Sequence, residues 1–98
     1  MNYALVLRLE VREELSEAYS WYESQKQGLG DEFLECVDET LNRISQMPES
    51  YAVAHRDVRR ALVRRFPYAV YYRIVSSRVI VIAIFHGRRD PLARQTRT

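Results

Sequence analysis

The chain has one cysteine, Cys36, so it can close no disulfide on itself. Its two histidines, His55 and His86, stand far from Cys36 and from each other in sequence. Zinc sites need more donors at tighter spacing, so no metal and no other cofactor is expected. There is no Gly-rich phosphate loop, no H-E-x-x-H and no CxxC pair. Low-complexity tracts, repeats and linkers are also missing. The longest apolar run, Val79 to Phe85, falls far short of the roughly 20 residues that span a bilayer. The short apolar run at the N-terminus has no basic region before it and no small-residue cleavage site after it. Neither a membrane association nor a secretory leader is therefore expected. The single thiol reads as a small buried hydrophobe in a cytoplasmic protein.

What is present is a length of 98 residues, read as one domain over 1–98, in which 47% of residues are hydrophobic. A domain of this size buries only about two thirds of the surface its unfolded chain exposes, which leaves stability marginal. Seven tyrosines supply most of the aromatic content, and they suit a core margin or an interface. The net charge of +2 hides an asymmetry. Residues 1–49 carry four Lys/Arg and eleven Asp/Glu; residues 50–98 carry eleven Arg, no Lys and two Asp. Arginine grips phosphate and carboxylate with two prongs, which lysine cannot do. The second half therefore points to an anionic partner, either nucleic acid or an acidic protein.

Tyr3 to Leu9 reads as a first strand. Apolar residues Val11, Leu15, Ala18, Tyr19 and Tyr22 then recur at helical spacing from about Glu10 to Gln25, with Glu13, Glu14, Glu17 and Glu23 off that face. Gly28 can end this helix, and Asp31 is a plausible N-cap for a second one with the stripe Phe33, Val37, Leu41 and Ile44. The short connection predicts an antiparallel hairpin. Met47 to Ser50 closes the helical part, and residues 51–57 read as an irregular connection. Three strands follow: Val58 to Arg64, Tyr68 to Val75 after Pro67, and Arg78 to His86 after the Ser76-Ser77 turn. Strict alternation in the last strand puts Ile80, Ile82 and Ile84 on one face and Val79, Val81, Ala83 and Phe85 on the other. A strand apolar on both faces belongs in the centre of a sheet. The expected fold is α+β, order βααβββ. A two-helix antiparallel hairpin packs on one face of a mainly antiparallel sheet, and the other face is partly open.

Two clusters could carry chemistry. At the end of the last strand, His86-Gly87-Arg88-Arg89 combines a residue that titrates near neutrality with two cations. His86 and Arg89 are the candidates for catalysis there; the alternative is a half-buried histidine beside solvated arginines. On the preceding strands, Arg59, Arg60, Arg64, Arg65 and Arg73 are interleaved with Tyr68, Tyr71 and Tyr72. That mixture suits a target held by charge and stacking. Tyr68, Val70, Tyr72 and Ile74 should face the helices, which leaves Tyr71 and Arg73 on the open side. The candidate target-binding set is Arg59, Arg65, Tyr71, Arg73, Arg88 and Arg89. Trp21, at the flank of the first helix's apolar stripe, and Tyr22, inside it, are candidate anchors for a partner protein. The Glu13/Glu17 and Glu35/Glu39 pairs read as a solvated helix face without a role.

Three segments carry a family resemblance: W-Y-E-x-Q-x-x-G-L-G-D-E-F at Trp21 to Phe33, F-P-Y-A-V-Y-Y-R-I at Phe66 to Ile74, and V-I-V-I-A-I-F-H-G-R-R-D-P at Val79 to Pro91. With the order βααβββ, they resemble the RelE/ParE toxin family over essentially the whole chain. The resemblance implies a type II toxin–antitoxin module, in which a cognate antitoxin wraps the toxin. RelE-like members cut messenger RNA on the ribosome, and ParE-like members inhibit DNA gyrase. RelE-like cleavage uses basic residues on the sheet and a tyrosine shortly after the last strand. Arg59 and Arg89 fall where two of those basic residues would be. Tyr68 stands where an arginine is expected, and the segment after Pro91 has no tyrosine. The ending H-G-R-R-D-P is closer to ParE. The resemblance therefore implies a binding inhibitor of gyrase. An mRNA endoribonuclease acting at the ribosome and a non-toxic interaction module are the alternatives.

Overall fold

The computed structural model describes residues 2–87. Strand β1 (Ala4–Leu7) leads into helix α1 (Leu9–Gln25) and helix α2 (Leu29–Gln46), and a 3-10 turn follows at Pro48–Ser50. Among the described residues four strands follow: β2 (Val53–His55), β3 (Val58–Leu62), β4 (Tyr68–Val75) and β5 (Arg78–His86). They form one sheet in the order β1-β5-β4-β3-β2, antiparallel except for the parallel pair β1–β5. The α+β hairpin-on-sheet architecture and the order βααβββ are as expected, with β5 central, between β1 and β4. The added element is β2. Its three residues lie inside the segment expected to be irregular, and they pair with β3 through a shifted register.

The hairpin is tighter than its sequence suggests. Helix α2 starts at Leu29, not after Asp31, and Gly28 precedes it with φ +89°, a conformation that favours glycine. Asp31 sits in the first turn rather than at the N-cap. The capping comes from the preceding helix: the Glu23 carboxylate accepts hydrogen bonds from the N–H groups of Gly28 (2.8 Å) and Gly30 (2.9 Å). A negative group at a helix N-terminus is favoured by both its orphan donors and its dipole. The two helices also touch at Gly30, where a Cβ would lie 2.8 Å from the Tyr19 ring and 2.8 Å from the Tyr19 carbonyl oxygen. Gly30→Ala is therefore expected to destabilise the fold. Its better helix propensity returns only part of the overpacking cost, leaving about 1–2 kcal/mol net. Chemical denaturation of the variant checks this, and an unchanged midpoint would contradict the close approach.

The main core lies between the hairpin and one face of the sheet. It joins Val11, Ala18 and Tyr22 of α1, Phe33, Cys36, Val37, Leu41 and Ile44 of α2, and Val70, Tyr72, Val79, Val81 and Ile84 of the sheet. Cys36 is buried here, as its apolar setting predicts. Tyr68, Val70, Tyr72 and Ile74 face the helices as expected. Strand β5 departs from strict alternation. Tyr71 pairs with Ala83 and Tyr72 with Val81, so Ile82 is the extra residue of a β-bulge. The bulge splits the three isoleucines. Ile84 joins Val79 and Val81 under the helices, and Ile80 and Ile82 fall with Ala83 and Phe85 on the other face. That second face is not open at its centre: Val58, Ala69, Tyr71, Ile82 and Ala83 are all buried there. Among the described residues, no helix is long and apolar enough to cross a membrane.

Candidate functional site

Strand β1 pairs with β5 only as far as Val81, so β5 continues to His86 beyond the end of its parallel neighbour. Helix α1 lies beside this stretch, and a groove of about 850 Å³ remains between them. Its aromatic wall is closely packed. Tyr22, almost fully buried, stacks on Phe33 (centroids 5.1 Å) and meets Phe66 edge-on (5.0 Å). Phe33 in turn meets Tyr68 at 5.0 Å. Trp21 stands on Tyr22 at 5.0 Å and 80°, yet remains 58% exposed. An indole pinned on one side and open on the other is a ready-made anchor for a partner. Burial raises the Tyr22 phenol above its ordinary range, with nearby Tyr68 acting in the same sense.

The other wall is acidic. Glu14 and Glu17 of α1 line the groove, and Glu14 accepts a hydrogen bond from the backbone N–H of Ile84 (3.3 Å). Sequence reasoning gave these glutamates no role. The signal available was spacing, since Glu17 and Trp21 are four apart and share one side of the helix. His86 lines the far end of the groove, half-buried, with its ring 5.4 Å from that of Tyr68. Among the described residues, no group of three or more His, Cys, Asp or Glu is placed to hold a metal ion.

The arginine set is dispersed. Arg59, paired with Tyr72 on the helix side of the sheet, donates to the carbonyls of Tyr51 (2.6 Å) and Glu49 (3.3 Å). Arg65, at φ +72°, donates to Glu32 (2.9 Å) and lies 5.9 Å over the Phe66 ring. Its neighbour Arg64 makes two hydrogen bonds to Glu39 (3.1 and 3.0 Å). These half-exposed, solvent-screened pairs tie the β3–β4 connection to α2. Arg73 pairs with Asp57 (3.1 Å) on the face away from the helices, as Tyr71 does with Arg60 across the β3–β4 ladder. The structure thus brings Tyr71 and Arg73 to one face and places Arg59 and Arg65 elsewhere. Tyr71 is 1% exposed, and neither its hydroxyl nor Arg73 Nε has a hydrogen-bond partner. Arg88 and Arg89 lie outside the described residues. Among the described arginines of the second half, the exposed Arg56, Arg60 and Arg78 are those whose guanidinium groups have neither a hydrogen bond nor an ion pair.

Comparison with known proteins agrees with this architecture. The family model described as the ParE toxin of the type II toxin–antitoxin system parDE matches residues 5–91. Toxin ParE2 of Mycobacterium tuberculosis (strain CDC 1551 / Oshkosh) is 31% identical over 84 residues, covering 85% of this chain and 80% of the relative. The same toxin from strain ATCC 25618 / H37Rv gives the same figures. Among solved structures, the chain is similar to one of the chromosomal ParDE TA system from P. aeruginosa, with a TM-score of 0.76 at 15% identity, covering 86% of this chain and 95% of that one. It is also similar to a mutant of E. coli toxin RelE in the free state, with a TM-score of 0.71 at 17% identity, covering 97% and 94%. The structural likenesses share the fold; the family model and the ParE2 relatives decide the assignment, and the chain belongs to the ParE toxin family of type II toxin–antitoxin systems.

Proposed function

We propose that this toxin arrests growth by binding DNA gyrase without cutting a substrate, and that a cognate antitoxin neutralises it by occupying the groove between α1 and β5. The observation that carries the reading is the ParE family match over residues 5–91. The groove supports the antitoxin part, because it offers an exposed, pinned indole beside a buried aromatic cluster. The dispersal of Arg59, Arg64 and Arg65 into contacts with α2 and its flanking turn, and the burial of Tyr71, move the target-binding proposal to Arg60 and Arg73 on the second sheet face. Arg88 and Arg89, outside the described residues, stay in the proposal from the sequence alone. Gyrase places the site of action in the cytoplasm.

The test is supercoiling of relaxed plasmid by purified gyrase at increasing toxin. Inhibition near stoichiometric toxin, relieved by antitoxin, is expected. Undiminished supercoiling at a large excess of toxin would overturn the gyrase reading, and toxin-dependent cuts in translated messages, seen by primer extension, would replace it with ribonuclease action.

A further inference from the structure

The geometry points to a basic anchor on the antitoxin: a lysine or arginine side chain seated between the Glu17 carboxylate and the face of Trp21, with an apolar side chain beside it over the aromatic wall. The inference rests on the proposed antitoxin reading of the groove and deepens it by stating the partner's chemistry.

Three observations carry it. First, the groove is walled on the α1 side by carboxylates, and α1 as a whole carries five glutamates against the single Arg12. A low-dielectric cleft lined by one sign of charge focuses its field and favours the opposite charge on its occupant. Second, Glu17 is exposed and sits one helical turn before Trp21, about 6 Å along the axis. A carboxylate and an indole on one helix face, a turn apart, form a complete receptor for a cation, with an ion pair on one side and a cation–π contact on the other. Third, the indole is already held edge-on by Tyr22, so capturing a partner orders few new side chains. An acidic partner residue would meet repulsion here, and a purely aliphatic segment would leave the Glu17 side without a complement.

The full-length toxin and its cognate antitoxin test this by titration at low salt and at about 0.5 M salt. Glu17→Lys, a change at an exposed helix position, is expected to weaken the complex about tenfold or more at low salt, with a smaller loss at high salt. Trp21→Ala is expected to weaken it at both salts. Asp38→Lys, on the exposed side of α2, makes the same change in net charge and is expected to leave affinity within about twofold. Reversing one antitoxin Lys or Arg to Glu should restore binding to Glu17→Lys specifically. If Glu17→Lys binds as tightly as Asp38→Lys at both salts, the basic-anchor inference is overturned while the antitoxin reading stands. If the unaltered toxin binds no antitoxin, the reading itself falls and takes the inference with it.

Discussion

Tyr22→Ala is expected to cost about 3–5 kcal/mol of folding stability, the range for truncating a buried aromatic. A small domain holds only about 5–15 kcal/mol in total, so this one change removes a large share. The reason is position. Tyr22 is where the hairpin and the sheet meet: its ring contacts Trp21, Phe33, Phe66 and Tyr68. Truncation opens a cavity between α1 and the start of β4 and leaves the Trp21 indole without its support. Stability and antitoxin binding should therefore fall together. Tyr22→Phe keeps the ring and should stay within about 1 kcal/mol of the parent, since the cluster depends on ring packing. Urea unfolding followed by circular dichroism separates the two, and a loss below about 1 kcal/mol in the alanine variant would mean that the ring cluster is not the keystone described here.

The adjacent tyrosines of β4 are expected to respond to phenylalanine with opposite signs. Tyr72 is fully buried on the helix side and donates its hydroxyl to the Pro48 carbonyl at 2.5 Å, tying the 3-10 turn to the sheet. Tyr72→Phe strands that carbonyl and should cost about 1–3 kcal/mol. Tyr71 is equally buried on the other face, but its hydroxyl has no partner. Tyr71→Phe removes an unsatisfied polar group and should be neutral or stabilising, by up to about 1–2 kcal/mol. The two variants should thus bracket the parent in thermal unfolding; two losses of equal size would contradict the hydrogen-bond assignment.

Alkaline pH adds a second signature. Burial pushes the Tyr72 phenol up to about 12, with the nearby Arg59 guanidinium pulling the other way and Tyr51 adding to the rise. In the unfolded chain it ionises near its ordinary value of about 10. Between those two values the unfolded state loses the proton first. The stabilisation is therefore intact below pH of about 10 and drains away as pH rises through about 12. Tyr22, also raised by burial, acts in the same direction. Tyr72→Phe should flatten that part of the pH–stability curve, and an unaltered alkaline limb would show that the phenol does not control it.

The sequence made some elements plain and hid others for identifiable reasons. Strands Tyr68–Val75 and Arg78–His86 have the bounds read from their pattern, because Pro67 and the Ser76-Ser77 turn punctuate them. Strand β2 leaves little mark on the sequence because it is three residues long and its register shifts between Val53 and His55; Val53 is 51% exposed and gives no alternation. The bulge at Ile82 is hidden for the opposite reason. A strand apolar on every residue looks the same whichever face each side chain takes, so a shift in parity leaves no mark on the hydrophobic pattern. The cap on α2 comes not from a local residue such as Asp31 but from Glu23 on the preceding helix, which no local pattern reveals. The arginines were the hardest. Arg64 with Glu39 and Arg65 with Glu32 are contacts between distant parts of the chain, and composition cannot distinguish an arginine that binds a target from one that fastens the fold. The charge split between the halves was real, but part of it is spent inside the molecule.

The functional account depends on the exposed side of Trp21 being where a partner sits. Trp21 is the only tryptophan in the chain, so its emission reports that position alone. Titrating a tryptophan-free version of the antitoxin into the toxin should shift the emission to the blue and protect the indole from acrylamide, with both changes complete at saturation of the complex. A tight complex formed with unchanged emission and undiminished quenching would contradict the account, because the antitoxin would then be holding the toxin somewhere else.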